Sequence, residues 1–215
     1  MGDLFYNTVC TIVRPVLRAT SRPLIIDLHL VPRTGPVILA ATHQSPFDVP
    51  VLMRHSKRPL DFVSVTEVFR NPLVAWFYGN MNAFPLDRWR PDAPTVRTIL
   101  SRLKAGRAVA MFPEGAIRSG VDSVVHTRRI RKGIGRLALL SRAPVVPCVI
   151  INSDAYARVA GWLPFRQTRY GIIYGNPLDP SEDPDKLEEA FLGEIVRLHA
   201  VLSERLNAGR GTQQT

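Results

Sequence analysis

Apolar residues recur at helical spacing from the start of the chain. Leu4, Phe5, Val9, Ile12, Val13, Val16 and Leu17 fall largely on one face of a helix over Asp3 to about Arg18. Asn7, Thr11, Arg14 and Arg18 lie on the other. Such a face can pack onto a domain, or lie in a membrane interface with the two arginines reaching headgroups. From Pro23 the pattern changes to short extended runs between helical stretches. Leu24 to Val31, Val37 to Ala41, Asp61 to Val65, Ala83 to Leu86, Ala108 to Phe112, Val145 to Ile151 and Arg169 to Tyr174 read as strands. Helices are predicted from the turn after Ser45 through Arg54, over Asn71 to Tyr78, Thr95 to Lys104 and Gly133 to Ser141, and onward from near Pro184. In the last of these, Leu187, Phe191, Ile195, Leu198 and Leu202 form the core face.

This alternation predicts an α/β fold, a single domain with a largely parallel or mixed sheet flanked by helices. The expected organisation is an amphipathic helix over residues 1–22, the domain over 23–206, and a polar, disordered tail over 207–215. At 215 residues the chain can bury one sizeable core. No apolar run approaches the ~18 residues that a spanning helix needs. The amino terminus also lacks a signal-peptide pattern, because Asp3 replaces the usual positive start and Arg14 and Pro15 interrupt the apolar stretch. Gly2 is followed by Tyr6 where a myristoylation signal wants Ser or Thr.

Charge changes this picture. Lys and Arg total 28 against 18 acidic residues, a net +10, which draws the chain toward nucleic acid, anionic lipid headgroups or phosphorylated small molecules. A nucleic-acid module would interleave basic residues with exposed aromatics or carry a helix-turn-helix, and neither pattern occurs. No nucleic-acid partner is expected. Cys10 and Cys148 are far apart without metal-ligand spacing, so no disulfide framework is expected and a reducing compartment fits. Cys148, within an apolar run, reads as a core residue.

The segment His43-Gln44-Ser45-Pro46-Phe47-Asp48 carries the first candidate chemistry. Ser45 suits an N-cap and Pro46 a first helical turn, and Asp48 stands where a capping box places its carboxylate. The same turn can fold His43 back so that Asp48 binds one imidazole nitrogen and leaves the other to accept a proton from a hydroxyl. Three further segments follow: residues 79–88 ending at Arg88, Phe112-Pro-Glu-Gly-Ala-Ile-Arg-Ser119, and Pro144-Val-Val-Pro-Cys-Val-Ile150.

In that order the four segments resemble the sequence blocks of the glycerolipid acyltransferases, over about Val37 to Leu178. The resemblance implies that His43 is a general base oriented by Asp48. An acceptor hydroxyl would attack an acyl thioester directly, without an acyl-enzyme. The sequence has no Gly-x-Ser-x-Gly elbow, which agrees. Arg88 would hold the acceptor's phosphate, Glu114 and Gly115 would shape the acceptor pocket, and Pro147 with Val145 and Val146 would form the acyl-chain side. The third block departs from the family pattern: Ala116 and Ile117 precede Arg118, which moves that arginine one position later and weakens its transfer as a phosphate ligand. His126 is a secondary candidate in the basic stretch that follows, which includes Arg128, Arg129, Arg131 and Lys132. That stretch reads either as a solvated loop or as a surface for anionic lipid or a carrier's phosphates.

The function expected is transfer of a fatty acyl chain from acyl-CoA or acyl carrier protein, as co-substrate, to the free hydroxyl of a lysophospholipid, 1-acylglycerol-3-phosphate first. A lyso-ornithine lipid or glycolipid is the alternative acceptor, and a thioesterase or a non-catalytic anionic-surface module the alternative classes. No cofactor or metal is expected. The protein is expected on the cytoplasmic face of a membrane, bound to its anionic surface.

Overall fold

The computed structural model describes residues 3–87, 93–164 and 167–211. It begins with α1 (Leu4–Thr20), β1 (Ser21–Ile26), β2 (Val37–Ala41), α2 (Asp48–His55), β3 (Leu60–Val65), α3 (Pro72–Asn80) and β4 (Ala83–Leu86). There follow α4 (Ala93–Lys104), β5 (Ala108–Met111), α5 (Val124–Thr127), α6 (Ile134–Ser141), β6 (Val145–Ile151), β7 (Thr168–Tyr174) and α7 (Pro184–Gly211).

The seven strands form one sheet in the order β1-β7-β6-β2-β5-β3-β4. Every pair is parallel except β6 with β7. The central strand β2 has no polar position and is buried on both faces, as a parallel strand between two helical layers must be. Its alternation assigns those layers. Ile38 and Ala40 join the core under α4, α6 and α7, whereas Val37, Leu39 and Ala41 join the core under α1 and α2.

The first helix packs one face onto the domain and leaves the other exposed. Tyr6, Cys10 and Leu17 are buried against the domain, while Leu4, Ile12 and Val16 are exposed. Its start is tied down by charge: Arg107 donates to Asp3 and makes a paired contact with the fully buried Asp61, with Nη2 at 2.5 Å and Nε at 2.6 Å. At its far end, Arg54 Nη1 donates to the Leu17 carbonyl at 2.9 Å.

Several boundaries differ from the sequence reading. β1 covers Ser21–Ile26 rather than Leu24 to Val31, and a 3-10 turn, Leu28–Leu30, takes the remainder. Pro23 lies inside β1 because that strand pairs only with β7, so its missing N–H costs no ladder bond on the open edge. The final helix continues through Gly211, past the Asn207 at which a tail was expected.

Candidate active site

The parallel strands β2 and β5 are neighbours, with Ala40 paired to Met111. Both chains therefore leave the sheet at the same end, β2 into Thr42-His43 and β5 into Phe112-Pro113-Glu114. This is the carboxyl edge of an open α/β sheet, where crevices form. His43 Nδ1 lies 3.0 Å from Asp48 Oδ2, so the pair foreseen in the sequence meets. The same oxygen accepts from the Gln44 and Ser45 N–H groups at 2.8 and 2.9 Å. The other oxygen accepts from Ser153 Oγ at 2.5 Å. Asp48 is fully buried and surrounded by donors, which is the environment of an ionised carboxylate. A carboxylate only accepts, so Nδ1 carries the proton and Nε2 keeps its lone pair. The capping and orienting roles coexist: the carboxylate that receives the Ser45 N–H also receives the imidazole. The helix itself begins later than the sequence suggested, at Asp48.

The imidazole is fixed on further sides. Phe112 stacks on it with ring centroids 3.9 Å apart and planes 14° apart. Glu114 Oε1 accepts the His43 N–H at 2.8 Å, and the Arg118 N–H donates to the His43 carbonyl at 2.8 Å.

Two more of the residues expected at the site take their places here. Glu114 braces the main chain of His43. It is buried, its second oxygen accepts from the Val124 N–H at 3.0 Å, and it is absent from the cavity wall. Burial pushes its carboxyl above the usual range, against the pull of the two N–H groups. Arg118 reaches the site with its main chain, while its side chain is exposed and outside the cavity wall.

A cavity of about 960 Å³ opens over His43. Its walls come from both helical layers, Val9, Val13 and Met53 on one side and Ile99, Ile134 and Leu137 on the other. They are overwhelmingly apolar. Gly115 lines it with φ +70°, a left-handed conformation suited to glycine. Pro147 does not line it: with Val145 and Val146 it is buried in the central sheet, where its carbonyl accepts from the Gly175 N–H at 2.8 Å. The cavity's apolar lining comes instead from helices including α1, α4 and α6. His126 bonds Ser123 Oγ at 3.0 Å and also stands outside the wall. Arg88 lies outside the described residues, although its neighbour Asp87 lines the cavity. Cys10 and Cys148 are free and buried, and burial pushes the Cys148 thiol well up. That makes it a poor nucleophile. Sequence reasoning missed Ser153. The only signal was the polar Asn152-Ser153-Asp154 that ends an apolar strand.

A histidine held by a buried carboxylate at the carboxyl edge of an α/β sheet, beneath a largely apolar cavity, makes this the candidate active site of the molecule. The chain belongs to the acyltransferase family, whose model matches residues 23–151. It is similar to two bacterial proteins called 1-acyl-sn-glycerol-3-phosphate acyltransferase. With that of Bacillus subtilis it shares 26% identity over 82% of this chain and 80% of the relative. With that of Streptococcus pneumoniae it shares 26% over 67% of this chain, and it spans about half (51%) of that relative's length. A chloroplastic counterpart from Arabidopsis thaliana is 32% identical over 55% of this chain and 32% of its own. The fold is that of the 1-acyl-sn-glycerophosphate acyltransferase PlsC of Thermotoga maritima, with a TM-score of 0.69, 18% identity, and coverage of 95% of this chain and 81% of that one.

Proposed function

We propose that this acyltransferase moves a fatty acyl chain from acyl-CoA or acyl carrier protein to the free hydroxyl of 1-acylglycerol-3-phosphate. The observation carrying the reading is His43, oriented by Asp48 and facing a large apolar cavity. Nε2 takes the hydroxyl proton as the oxygen attacks the thioester carbonyl. The tetrahedral intermediate then expels the thiolate, which recovers that proton from the imidazolium. No acyl-enzyme is required, in keeping with the inert Cys148. Arg88 is assigned to the acceptor's phosphate on the family resemblance. His43→Ala should lose at least ~100-fold in turnover with the fold intact. Near-normal transfer by that variant would sink the mechanism. Thiol release without acceptor, as fast as with it, would mark a thioesterase instead.

The displacement of the Arg118 side chain from the cavity favours a second reading, an acceptor without phosphate such as a lyso-ornithine lipid or glycolipid. A panel of acceptors with one labelled thioester separates the two.

The protein works from the cytoplasmic face of a membrane, where acyl thioesters are available. No described helix is long and apolar enough to cross a bilayer. The apolar outer row of α1 continues through Phe5, edge-on to Trp76 at 5.3 Å, onto α3, which buries none of its nine residues. Leu73 and Trp76 of α3 are 79% and 60% exposed, and Arg14, Arg18 and Arg70 lie nearby in sequence on the exposed surface. Apolar side chains beside cations suit an anionic bilayer surface. Leu73→Asp with Trp76→Asp should abolish flotation with phosphatidylglycerol-containing vesicles. Undiminished flotation would remove α3 from the docking face.

A further inference from the structure

We propose that Ser153 is a positioning residue of the reaction, acting on His43 through the Asp48 carboxylate. The inference rests on the reading that His43 is the general base.

Ser153 comes to the site from a strand that holds neither member of the pair. β6 lies beside β2 in the sheet, with Ala41 paired to Cys148. Thr42 carries the pairing one step past β2. Its N–H donates to the Cys148 carbonyl at 3.1 Å, and its Oγ1 accepts from the Ile150 N–H at 3.1 Å. The two strands therefore leave the sheet at one edge, locked in register. Asn152 then takes a left-handed conformation, φ 65°, which asparagine tolerates better than most residues, and the chain turns. Ser153 follows it, fully buried and outside the cavity wall.

The Asp48 carboxylate divides its partners unevenly. Oδ2 accepts from His43 Nδ1 and from the Gln44 and Ser45 N–H groups, all within one turn of chain. Oδ1 accepts from Ser153 Oγ alone among the described residues, at 2.5 Å. No described lysine or arginine pairs with this buried anion, so hydrogen bonds carry its charge. The last torsion of a carboxylate side chain is broad and roughly two-fold. Three donors on one oxygen hold that oxygen but leave the second free to swing, and the Ser153 hydroxyl fixes the second. It also spares Oδ1 the cost of burial without a partner. A carboxylate set in this way presents Oδ2 to the Nδ1 proton before and after the imidazole takes the acceptor's proton, and the Nε2 lone pair keeps its aim.

The test is steady-state kinetics of the full chain with acyl-CoA and lysophosphatidate, in the wild-type and Asp48→Asn backgrounds. Rates are expressed per folded molecule, from near-ultraviolet circular dichroism of the same samples. Ser153→Ala should lower kcat by about 10-fold, the lower end of what a hydrogen bond to a charged group is worth. KM for both substrates should stay within about twofold, because the residue stands outside the cavity wall. Ser153→Cys, close to serine in size but a feeble donor, should lose as much, and it carries the test if the alanine variant does not fold. In Asp48→Asn the partner is a neutral amide, and each serine change should alter kcat by less than about twofold; a role in packing alone would cost the same factor in both backgrounds. Equal factors, or a Ser153→Cys variant with wild-type kcat, would overturn the assignment and leave the base standing. A His43→Ala variant with near-normal turnover would overturn both.

Discussion

Replacing Asp48 by asparagine separates the charge at the site from its geometry. The buried carboxylate accepts from His43 Nδ1–H, the Gln44 and Ser45 N–H groups, and Ser153 Oγ–H. An asparagine carbonyl in the place of Oδ2 still serves the three N–H donors, and Ser153 can reverse its hydroxyl to accept from the new amide. The fold should survive with a loss of about 1–2 kcal/mol, as charge-assisted hydrogen bonds become neutral ones. The rate should not. When His43 takes the acceptor's proton, an imidazolium forms beside the carboxylate. Unit charges ~4 Å apart at an effective dielectric of ~20 attract by about 4 kcal/mol, an upper figure for what the pair gives the transition state. At about 1.4 kcal/mol per decade, kcat should fall by about 10²- to 10³-fold. The assay is acceptor-dependent thiol release from acyl-CoA, with urea denaturation of the same samples. Turnover within about threefold of wild type would refute the argument that the carboxylate's charge serves the chemistry. Asp48→Ala should differ in kind, because it orphans buried donors at about 1–3 kcal/mol each and so costs stability as well as rate.

Gly115→Ala should lose at least about 1–2 kcal/mol from its left-handed backbone, with the Arg131 side chain forced aside; an unchanged melting temperature would contradict this. His55 is packed against Tyr170, with Nε2 2.7 Å from the hydroxyl, and burial pushes its imidazole down to about 4. The unfolded chain takes that proton near pH 6.5 and the folded chain only near 4, so stability falls as pH drops through this window, by about 3 kcal/mol in all. Urea titrations should show a flatter acid limb for His55→Asn, and equal slopes would count against the argument. Arg107→Ala leaves the buried Asp61 with only the longer contact to Arg102, at 3.4 Å, and should cost about 3 kcal/mol in urea denaturation. Asp3→Ala, on the partly exposed side of the same arginine, should cost no more than about 1 kcal/mol.

Much of this architecture is legible in the sequence where one period dominates. β2 and β6 are continuous apolar runs buried on both faces, and α4 and α7 keep a helical stripe. Boundaries slip where the edge of the sheet relaxes a rule, as with Pro23 in β1. The pair His43 and Asp48 could be read because five positions of local chain are enough to bring them together. Ser153 could not, since its place depends on where β6 ends against the His43 turn. Arg118 illustrates the opposite hazard. A motif carried one residue out of step still delivers its N–H to His43, but not its side chain. Glu114 is conspicuous in the sequence, yet it reaches His43 through that residue's main chain.

The first helix is both an outer surface and an inner wall. Leu4, Ile12 and Val16 face outward while Val9, Val13 and Leu17 line the cavity, and the helix is latched at its start by Arg107 and at its end by Arg54. A soluble form made by trimming this helix would therefore be a breached vessel, its reaction chamber open to water and its Arg107–Asp61 pair uncovered. Only one helix thickness, about 10 Å, separates the proposed lipid-facing row from the interior. The bilayer would in effect continue into the protein as oil leads into oil, and a substrate tail would never have to be wetted on its way to His43.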